Sequence, residues 1–178
     1  PEKLHKLTVM NVPHPAVMQK FLRRDFEQMR RSWYVGFFQI PWLPEKIFTT
    51  NNFRRLARAV QGSAKKNSYT DADMEKYKEA WSQPDALTSM LNWYRAIVQH
   101  PPQLPEDVRV KVRTLMMWGM KDFALSHRMA RPSMDYCDEG NLILFPEATH
   151  WVHLDAADEV NHYLIDFLLD SITKRAIK

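Results

Sequence analysis

The sequence predicts an α/β fold: parallel strands with flanking helices, interrupted by a helical lid insertion. Short apolar runs that end at proline or glycine occur near both ends of the chain, and helical patterns follow them. This alternation is typical of a parallel sheet. Between these runs only helical patterns occur. We therefore expect a core strand and turn over residues 1–13, a helical lid over 14–104, and a C-terminal α/β core over 105–178.

Three segments are predicted to be strands. Residues 7–12 form an apolar, β-branched run that stops at Pro13. Residues 112–118 carry a second apolar run that ends at Gly119, and residues 141–145 form a third that Pro146 closes. Short apolar runs bounded by such residues are typical of buried strands.

Helices are predicted between and after these strands. In the lid we expect them over residues 15–31, 52–60, 71–81 and 86–98. Thr70 stands where a helix N-cap is expected. A proline-rich linker follows the lid, another helix lies between the last two strands, and a final helix ends the chain. The final helix repeats its apolar residues on one face, as a helix packed on a core does: Val160, Tyr163, Leu164, Phe167 and Leu168.

Composition and charge narrow the class of protein. The chain has 178 residues, is 45% hydrophobic, and carries a formal net charge of +4. Its basic residues alternate with acids in short helical groups, which favours solvated helix faces and no nucleic-acid partner. No apolar run reaches the roughly 20 residues of a membrane span, and no signal-peptide pattern is present. We therefore expect no membrane span and a cytoplasmic location.

An acid and a histidine follow neighbouring strands. Asp122 lies just beyond the second predicted strand and His150 just beyond the third. Catalytic groups of open α/β sheets gather beyond the carboxyl ends of strands. An aspartate beside a histidine can fix its tautomer and stabilise the imidazolium that forms when it acts as a base. A purely structural aspartate in a turn and histidine at a helix entry remain the alternative.

Other chemistries find little support. Cys137 lies among carboxylates that disfavour a thiolate, so a cysteine nucleophile is not expected. The spacing of His150, His153, Asp155 and His162 fits no common zinc pattern, so we expect no metal site and no cofactor.

Five segments in one order carry a family resemblance. They are VPHP at 12–15, WYVGFFQIPWLPE at 33–45, LNWYR at 91–95, WGMKD at 118–122 and THWV at 149–152. Together they resemble the epoxide hydrolase branch of the α/β-hydrolase fold family, over essentially the whole chain. The resemblance implies that the chain is the C-terminal part of such a fold, with its lid, or cap domain.

The resemblance also implies roles for individual residues. Asp122 matches the acid of the catalytic triad and His150 the general base. Tyr34 and Tyr94 match the two lid tyrosines that, in this family, hydrogen-bond the epoxide oxygen. In that family, an aspartate nucleophile attacks the epoxide to give an ester, and the histidine activates water to hydrolyse the ester to a diol. The residues expected to line the substrate pocket are Trp33, Phe38, Trp93 and Trp151, and His14 is expected to be structural or pocket-lining.

The nucleophile of the family has no counterpart in this sequence. The four glycines, Gly36, Gly62, Gly119 and Gly140, do not form the glycine-rich elbow on which that residue stands. We therefore expect the chain alone to be inactive. Three parallel strands would also expose a sheet edge. We expect a complementary N-terminal half or self-association to complete it, and a small apolar epoxide as substrate.

Two other functions stay open. A haloalkane dehalogenase shares the fold, the acid and the base, and its halide donors are commonly tryptophan or asparagine. A non-catalytic fragment that binds a ligand or a partner is the second alternative. The sequence does not decide the natural epoxide, the stereochemistry or the oligomeric state.

Overall fold

The structure, a computed structural model, describes residues 3–170. Its contacts divide the chain into two compact units. The described residues up to Met29 and those from Leu104 onward form the first, which we call the sheet unit. Arg30–Gln103 form the second, which we call the helical unit.

A three-stranded parallel sheet organises the sheet unit. Strands β1 (Lys6–Met10), β2 (Arg113–Gly119) and β3 (Gly140–Phe145) lie in the order β1-β2-β3 among the described residues. The three predicted strands are thus confirmed, with ends shifted by one or two residues. Their carboxyl ends meet at one edge of the sheet because all three run in the same direction.

Both faces of the sheet are covered. Successive side chains of a strand point to opposite faces, so Leu115 and Met117 enter one core and Met116 and Trp118 the other. The first core also contains residues of helices α8 (Val152–Asp155) and α9 (Ala157–Leu168). The second contains residues of α1 (Pro15–Arg24), a 3-10 helix (His127–Met129) and α7 (Ala130–Met134). β2 is therefore buried along almost its whole length.

The prediction of a single helix over residues 15–31 is wrong, because this segment forms two helices. After α1 the chain turns extended at Asp25, with φ −112° and ψ 104°, and α2 (Phe26–Arg31) follows. Asp25 Oδ1 accepts a hydrogen bond from Gln28 N at 2.8 Å. An aspartate that caps a helix start in this way stabilises the break.

Helix α1 packs on the sheet. Val17 is buried in one core with Met116 and Trp118, so contacts group α1 with the strands, although the predicted lid begins at residue 14. The domain boundaries inferred from the sequence remain a prediction.

The helical unit contains four further helices: α3 (Trp33–Phe38), α4 (Leu43–Ser63), α5 (Asp71–Trp81) and α6 (Ala86–Gln99). The predicted helices over 71–81 and 86–98 are confirmed. So is the N-cap: Thr70 Oγ1 accepts from Asp73 N, and the Asp73 carboxylate accepts from Thr70 N. Buried hydrophobic residues of this unit form its core: Phe53, Ala57, Tyr69, Met74, Trp81, Leu87 and Leu91.

Helix α4 differs from its prediction. It begins at Leu43 rather than near residue 52, with Pro44 in its first turn, a position where the missing N–H costs nothing. Its helical conformation is interrupted at Thr50–Phe53, where Asn51, Asn52 and Phe53 have positive φ. The predicted helix over 52–60 is only the part after this kink.

The final helix carries the predicted apolar stripe except at its end. Val160 and Phe167 are buried, and Tyr163 and Leu164 pack against the same core. Leu168 is 55% exposed. Eight residues along a helix of 3.6 residues per turn rotate the side chain roughly 80° from the starting position, so Leu168 leaves the buried face. Within residues 3–170, no helix combines the length and apolar character needed to cross a membrane.

Candidate active site

Asp122 lies in the loop that follows β2, and its carboxylate is buried. The residue is 2% exposed. Oδ1 accepts hydrogen bonds from Ala124 N at 2.8 Å and Leu125 N at 2.9 Å. These backbone donors fix the carboxylate and stabilise its negative charge.

His150 follows β3 and contacts this carboxylate directly. Its Nδ1 lies 2.8 Å from Asp122 Oδ2. Because Asp122 Oδ2 accepts this hydrogen bond, Nδ1 must carry the proton. In the neutral ring Nε2 is then the unprotonated nitrogen, which can take a proton. The His150 side chain is 30% exposed, and within residues 3–170 its Nε2 has no protein hydrogen-bond partner. The geometry therefore suits a histidine that takes a proton from water.

Two features hold the loop that carries His150. Asp155 Oδ2 accepts from Thr149 N at 2.7 Å and from Thr149 Oγ1 at 2.5 Å. At the end of β2, a Cβ added to Gly119 would lie 2.0 Å from Thr149 O. Glycine at this position therefore lets the loop approach the strand that leads to Asp122.

Two polar residues of the site were missed by the sequence analysis. Gln28 is fully buried: its Nε2 donates to Ala124 O and its Oε1 accepts from Ser126 N, both at 2.9 Å. Asn11 Nδ2 donates to Asp122 Oδ2 at 2.7 Å. The sequence offered one usable signal, an asparagine at the end of an apolar strand, because asparagine is disfavoured inside strands.

In the helical unit, the two predicted lid tyrosines contact each other. The rings of Tyr34 and Tyr94 lie 5.8 Å apart at 81°, edge to face. Phe38 packs against both, at 5.6 Å from Tyr34 and 5.0 Å from Tyr94. Burial raises the pKa of the Tyr94 phenol. A phenol with a raised pKa stays protonated and can donate a hydrogen bond.

An ion pair joins α6, which carries Tyr94, to α4. Arg95 Nη1 lies 2.6 Å from Glu45 Oε1, with both side chains less than one-fifth exposed. Arg95 Nε also donates to Phe38 O at 2.9 Å, and Gln39 Nε2 donates to Tyr94 O at 3.2 Å. The hydrogen bond from Arg95 lowers the pKa of Glu45 and raises that of Arg95. We call this group the Arg95 clamp.

The predicted pocket residues occupy different environments. Trp33 and Trp93, in the helical unit, are 69% and 71% exposed, whereas Phe38 is half-buried in the tyrosine cluster. In the sheet unit, Trp151 is half-buried and contacts His150 edge to face at 5.4 Å.

His14 has a structural place in the sheet unit. Its Nδ1 accepts from Ala16 N at the start of α1, and its Nε2 lies 2.9 Å from Val108 O. Its ring stacks on Tyr136 at 4.4 Å.

Cys137 and a metal site are the other chemical possibilities that the sequence raised. The pKa of Cys137 is raised chiefly by burial, and only to a smaller extent by Asp138, so desolvation rather than the expected carboxylates is the main cause. In the part of the chain that the structure describes, no group of three or more His, Cys, Asp or Glu side chains could hold a metal ion.

The known proteins that resemble the chain in sequence are named as hydrolases. The AB hydrolase superfamily protein YfhM of Bacillus subtilis is 38% identical over 94% of this chain and 58% of its own length. Epoxide hydrolase 4 of Homo sapiens is 35% identical over 98% of the chain and 49% of its own length. The chain thus spans about half the length of the curated relatives it matches. No family model matches it.

A solved structure resembles the chain closely. The crystal structure of Bacillus megaterium epoxide hydrolase in complex with an inhibitor aligns with a TM-score of 0.84 and 25% identity. The alignment covers 94% of this chain and 62% of that one.

Proposed function

The chain belongs to the α/β-hydrolase fold family, on its epoxide hydrolase branch, and we propose that it supplies the lid and the acid–base pair of an enzyme that hydrolyses an epoxide to a diol. The substrate is a small, apolar epoxide. The chain contributes no assigned nucleophile, so the active enzyme requires a nucleophile-bearing N-terminal half, on this or on another polypeptide.

The reaction has two steps. An aspartate of the complementary half attacks a ring carbon, the C–O bond of the epoxide breaks, and an ester forms while the ring oxygen takes a proton from the Tyr34 or Tyr94 phenol. His150 then removes a proton from water through Nε2, and the resulting hydroxide attacks the ester carbonyl. The diol leaves, the carboxylate of the nucleophile is regenerated, and the proton held by His150 restores the tyrosine that protonated the ring oxygen.

The hydrogen bond between His150 Nδ1 and Asp122 Oδ2, 2.8 Å long, is the observation that carries the proposal. A buried carboxylate at this nitrogen favours the imidazolium that forms when Nε2 takes a proton. It also fixes the orientation of the ring. A histidine without this partner would be free to rotate and to change tautomer.

Tyr34 and Tyr94 are proposed to donate to the epoxide oxygen. Opening the ring develops negative charge on that oxygen, and two phenol donors aimed at one atom stabilise such charge. Their edge-to-face contact at 5.8 Å supports a shared task, and the raised pKa of Tyr94 keeps it a donor.

The test uses the chain assembled with the nucleophile-bearing half of a family member. We expect diol formation from an aryl epoxide, and a loss of about 10²- to 10⁴-fold in kcat when His150→Gln or Asp122→Asn removes the base or its partner. His162→Gln is the matched control, because the His162 side chain is 71% exposed and its ion-pair partner Asp166 lies on the same helix.

A parallel assay with an alkyl halide separates the alternatives. Halide release without diol formation would indicate a dehalogenase. Ligand binding without turnover of either substrate, in an assembly whose nucleophile is intact, would indicate a binding fragment and contradict the proposal.

A further inference from the structure

We propose that Asn11 is a positioning residue of the site: its side-chain amide holds the Asp122 carboxylate in the orientation in which it bonds His150. The inference rests on the proposed acid–base role of Asp122 and His150. Asn11 belongs to none of the five sequence motifs and has no role in the proposed mechanism.

Asn11 lies where β1 ends. Its φ is 49°, a left-handed conformation that asparagine tolerates better than most residues. Its backbone N donates to Met117 O at 3.0 Å, so the residue still pairs with β2. The left-handed turn ends the strand and directs the side chain inward, where it is 1% exposed. A buried amide must satisfy its hydrogen bonds within the protein.

The orientation of this amide is fixed by its partners. Asn11 Oδ1 accepts from Gly119 N at 3.0 Å. Because a backbone N–H can only donate, the oxygen of the amide must face Gly119, and the NH₂ group must face the other side. On that side Nδ2 donates to Asp122 Oδ2 at 2.7 Å. The amide cannot rotate by 180° without placing its oxygen against a carboxylate.

The same NH₂ group lies near the loop that carries His150. Nδ2 is 3.4 Å from Thr149 O and 3.4 Å from Gly119 O. One side chain thus reaches the carboxyl ends of β1 and β2 and the loop that follows β3. Asn11 therefore links the segment that carries Asp122 to the loop that carries His150, although it is itself neither the acid nor the base.

The consequence concerns the two oxygens of Asp122. Oδ1 accepts from the backbone of Ala124 and Leu125, whereas Oδ2 accepts from Asn11 and from His150. Rotation of the carboxylate would break bonds at both oxygens, so its plane is held. Loss of the Asn11 amide would remove one donor from Oδ2 and loosen the oxygen that orients the imidazole.

The chemistry also explains why an amide suits this position better than a carboxylate. A second carboxylate at the position of Nδ2 would lie about as close to Oδ2 as the amide does now. Two like charges at such a distance cannot both stay ionised without a large cost. Asparagine has the same shape but donates, so it supports the negative charge of Asp122.

The test is ¹⁵N–¹H NMR of the histidine side chains in the 178-residue chain, which reports tautomer and proton exchange without any need for activity. We expect the unsubstituted chain to show His150 with its proton on Nδ1. In Asn11→Gly, which tolerates the positive φ but lacks the amide, we expect exchange of this proton with water to accelerate by about tenfold or more, since hydrogen bonds to charged groups are worth at least that factor. Asn11→Asp should have the same effect.

Asn67→Gly is the matched control, because Asn67 also has a positive φ, 72°, and lies exposed outside the site. It should leave the His150 signal unchanged. Thermal unfolding of each variant separates loss of the fold from loss of positioning.

The inference is overturned if Asn11→Gly and Asn11→Asp keep the His150 signal of the unsubstituted chain. If neither variant folds, the unsubstituted chain decides: one Asn11 side-chain amide proton must exchange slowly, and rapid exchange of both would overturn the inference. Asp122→Asn distinguishes this failure from that of the proposed function. If that variant also leaves the His150 proton undisturbed, the acid–base pair itself is absent.

Discussion

Gly119 is a point of close approach between β2 and the loop that carries His150. Its φ is not positive, so the requirement for glycine is one of space. A Cβ here would lie 2.0 Å from Thr149 O and 2.7 Å from Ala148 O, and these are backbone atoms that cannot rotate away. The acid–histidine contact therefore depends on a position that carries no functional group.

We expect Gly119→Ala to destabilise the chain by roughly 1–3 kcal/mol or more, since the added methyl group overpacks a buried site. It should also displace Thr149 and weaken the contact between His150 and Asp122. Urea unfolding measures the first effect and NMR of His150 the second.

Gly36→Ala is the control, because a Cβ there meets nothing within 4 Å. A helical glycine replaced by alanine should gain roughly 0.5–1 kcal/mol. Equal stabilities for the two variants would contradict the close approach.

The raised pKa of Tyr94 predicts how the stability of the chain changes at alkaline pH. Burial raises its pKa above the ordinary value of 10.0, so the folded state favours the protonated phenol. Its contribution to stability is fully present below pH 10 and is lost as the pH rises through the raised value. We expect Tyr94→Phe to flatten the alkaline loss of stability, measured by urea unfolding between pH 8 and 11. An identical slope in the unsubstituted chain would show that Tyr94 is not desolvated.

At the scale of elements, the Arg95 clamp joins α6 to α4 and to the end of α3. Arg95 bonds Glu45 and the carbonyls of Phe38 and Ile40. These elements carry Tyr34 and Tyr94. The clamp therefore sets how closely the two phenols approach each other.

Replacing Arg95 by methionine should cost about 1–3 kcal/mol, because it leaves Glu45 and two carbonyls without their charged donor. Arg95 holds the pKa of Glu45 below its ordinary 4.5, so this stabilisation is present above pH 4.5 and is lost as the pH falls through the lowered value. Glu75→Gln is the control, since Glu75 is 67% exposed in its pair with Lys78 and the pair should be worth less than about 0.5 kcal/mol. Similar costs for Arg95→Met and Glu75→Gln would show that the clamp is only a surface pair.

How well the elements could be predicted from the sequence depended on local signals. The strands were found because each is a short apolar run with a terminator, and α5 was found because Thr70 and the acids after it form a cap. The break at Asp25 and the kink at Asn51–Phe53 were missed. Asparagine and aspartate lie inside many helices, and only their backbone conformation shows that the helix stops there.

The site could be predicted in part for a similar reason. Asp122 and His150 each follow a strand end, so topology alone brings them together. Asn11 reaches Asp122, and Gln28 reaches Ala124 in the loop after Asp122, each across about a hundred residues of sequence. No spacing rule connects such positions, because the contact exists only once three strand ends and α2 have assembled.

At the scale of the whole molecule, the chain corresponds to only part of the length of its relatives. It covers 58% of YfhM and 49% of human epoxide hydrolase 4. Its acid, histidine and tyrosines form two well-packed groups, one in each unit. The attacking carboxylate of the proposed reaction is not among its assigned residues, so the account depends on His150 acting on an ester formed elsewhere.

Mass spectrometry of the His150→Gln variant, assembled with a nucleophile-bearing half and mixed with an aryl epoxide, tests that dependence most directly. We expect the protein to gain the mass of one epoxide and to keep it, because the ester forms but water is not activated to hydrolyse it. The unsubstituted assembly should release diol and carry no lasting adduct. Steady diol release from the variant at the unsubstituted rate, with no adduct, would contradict the account.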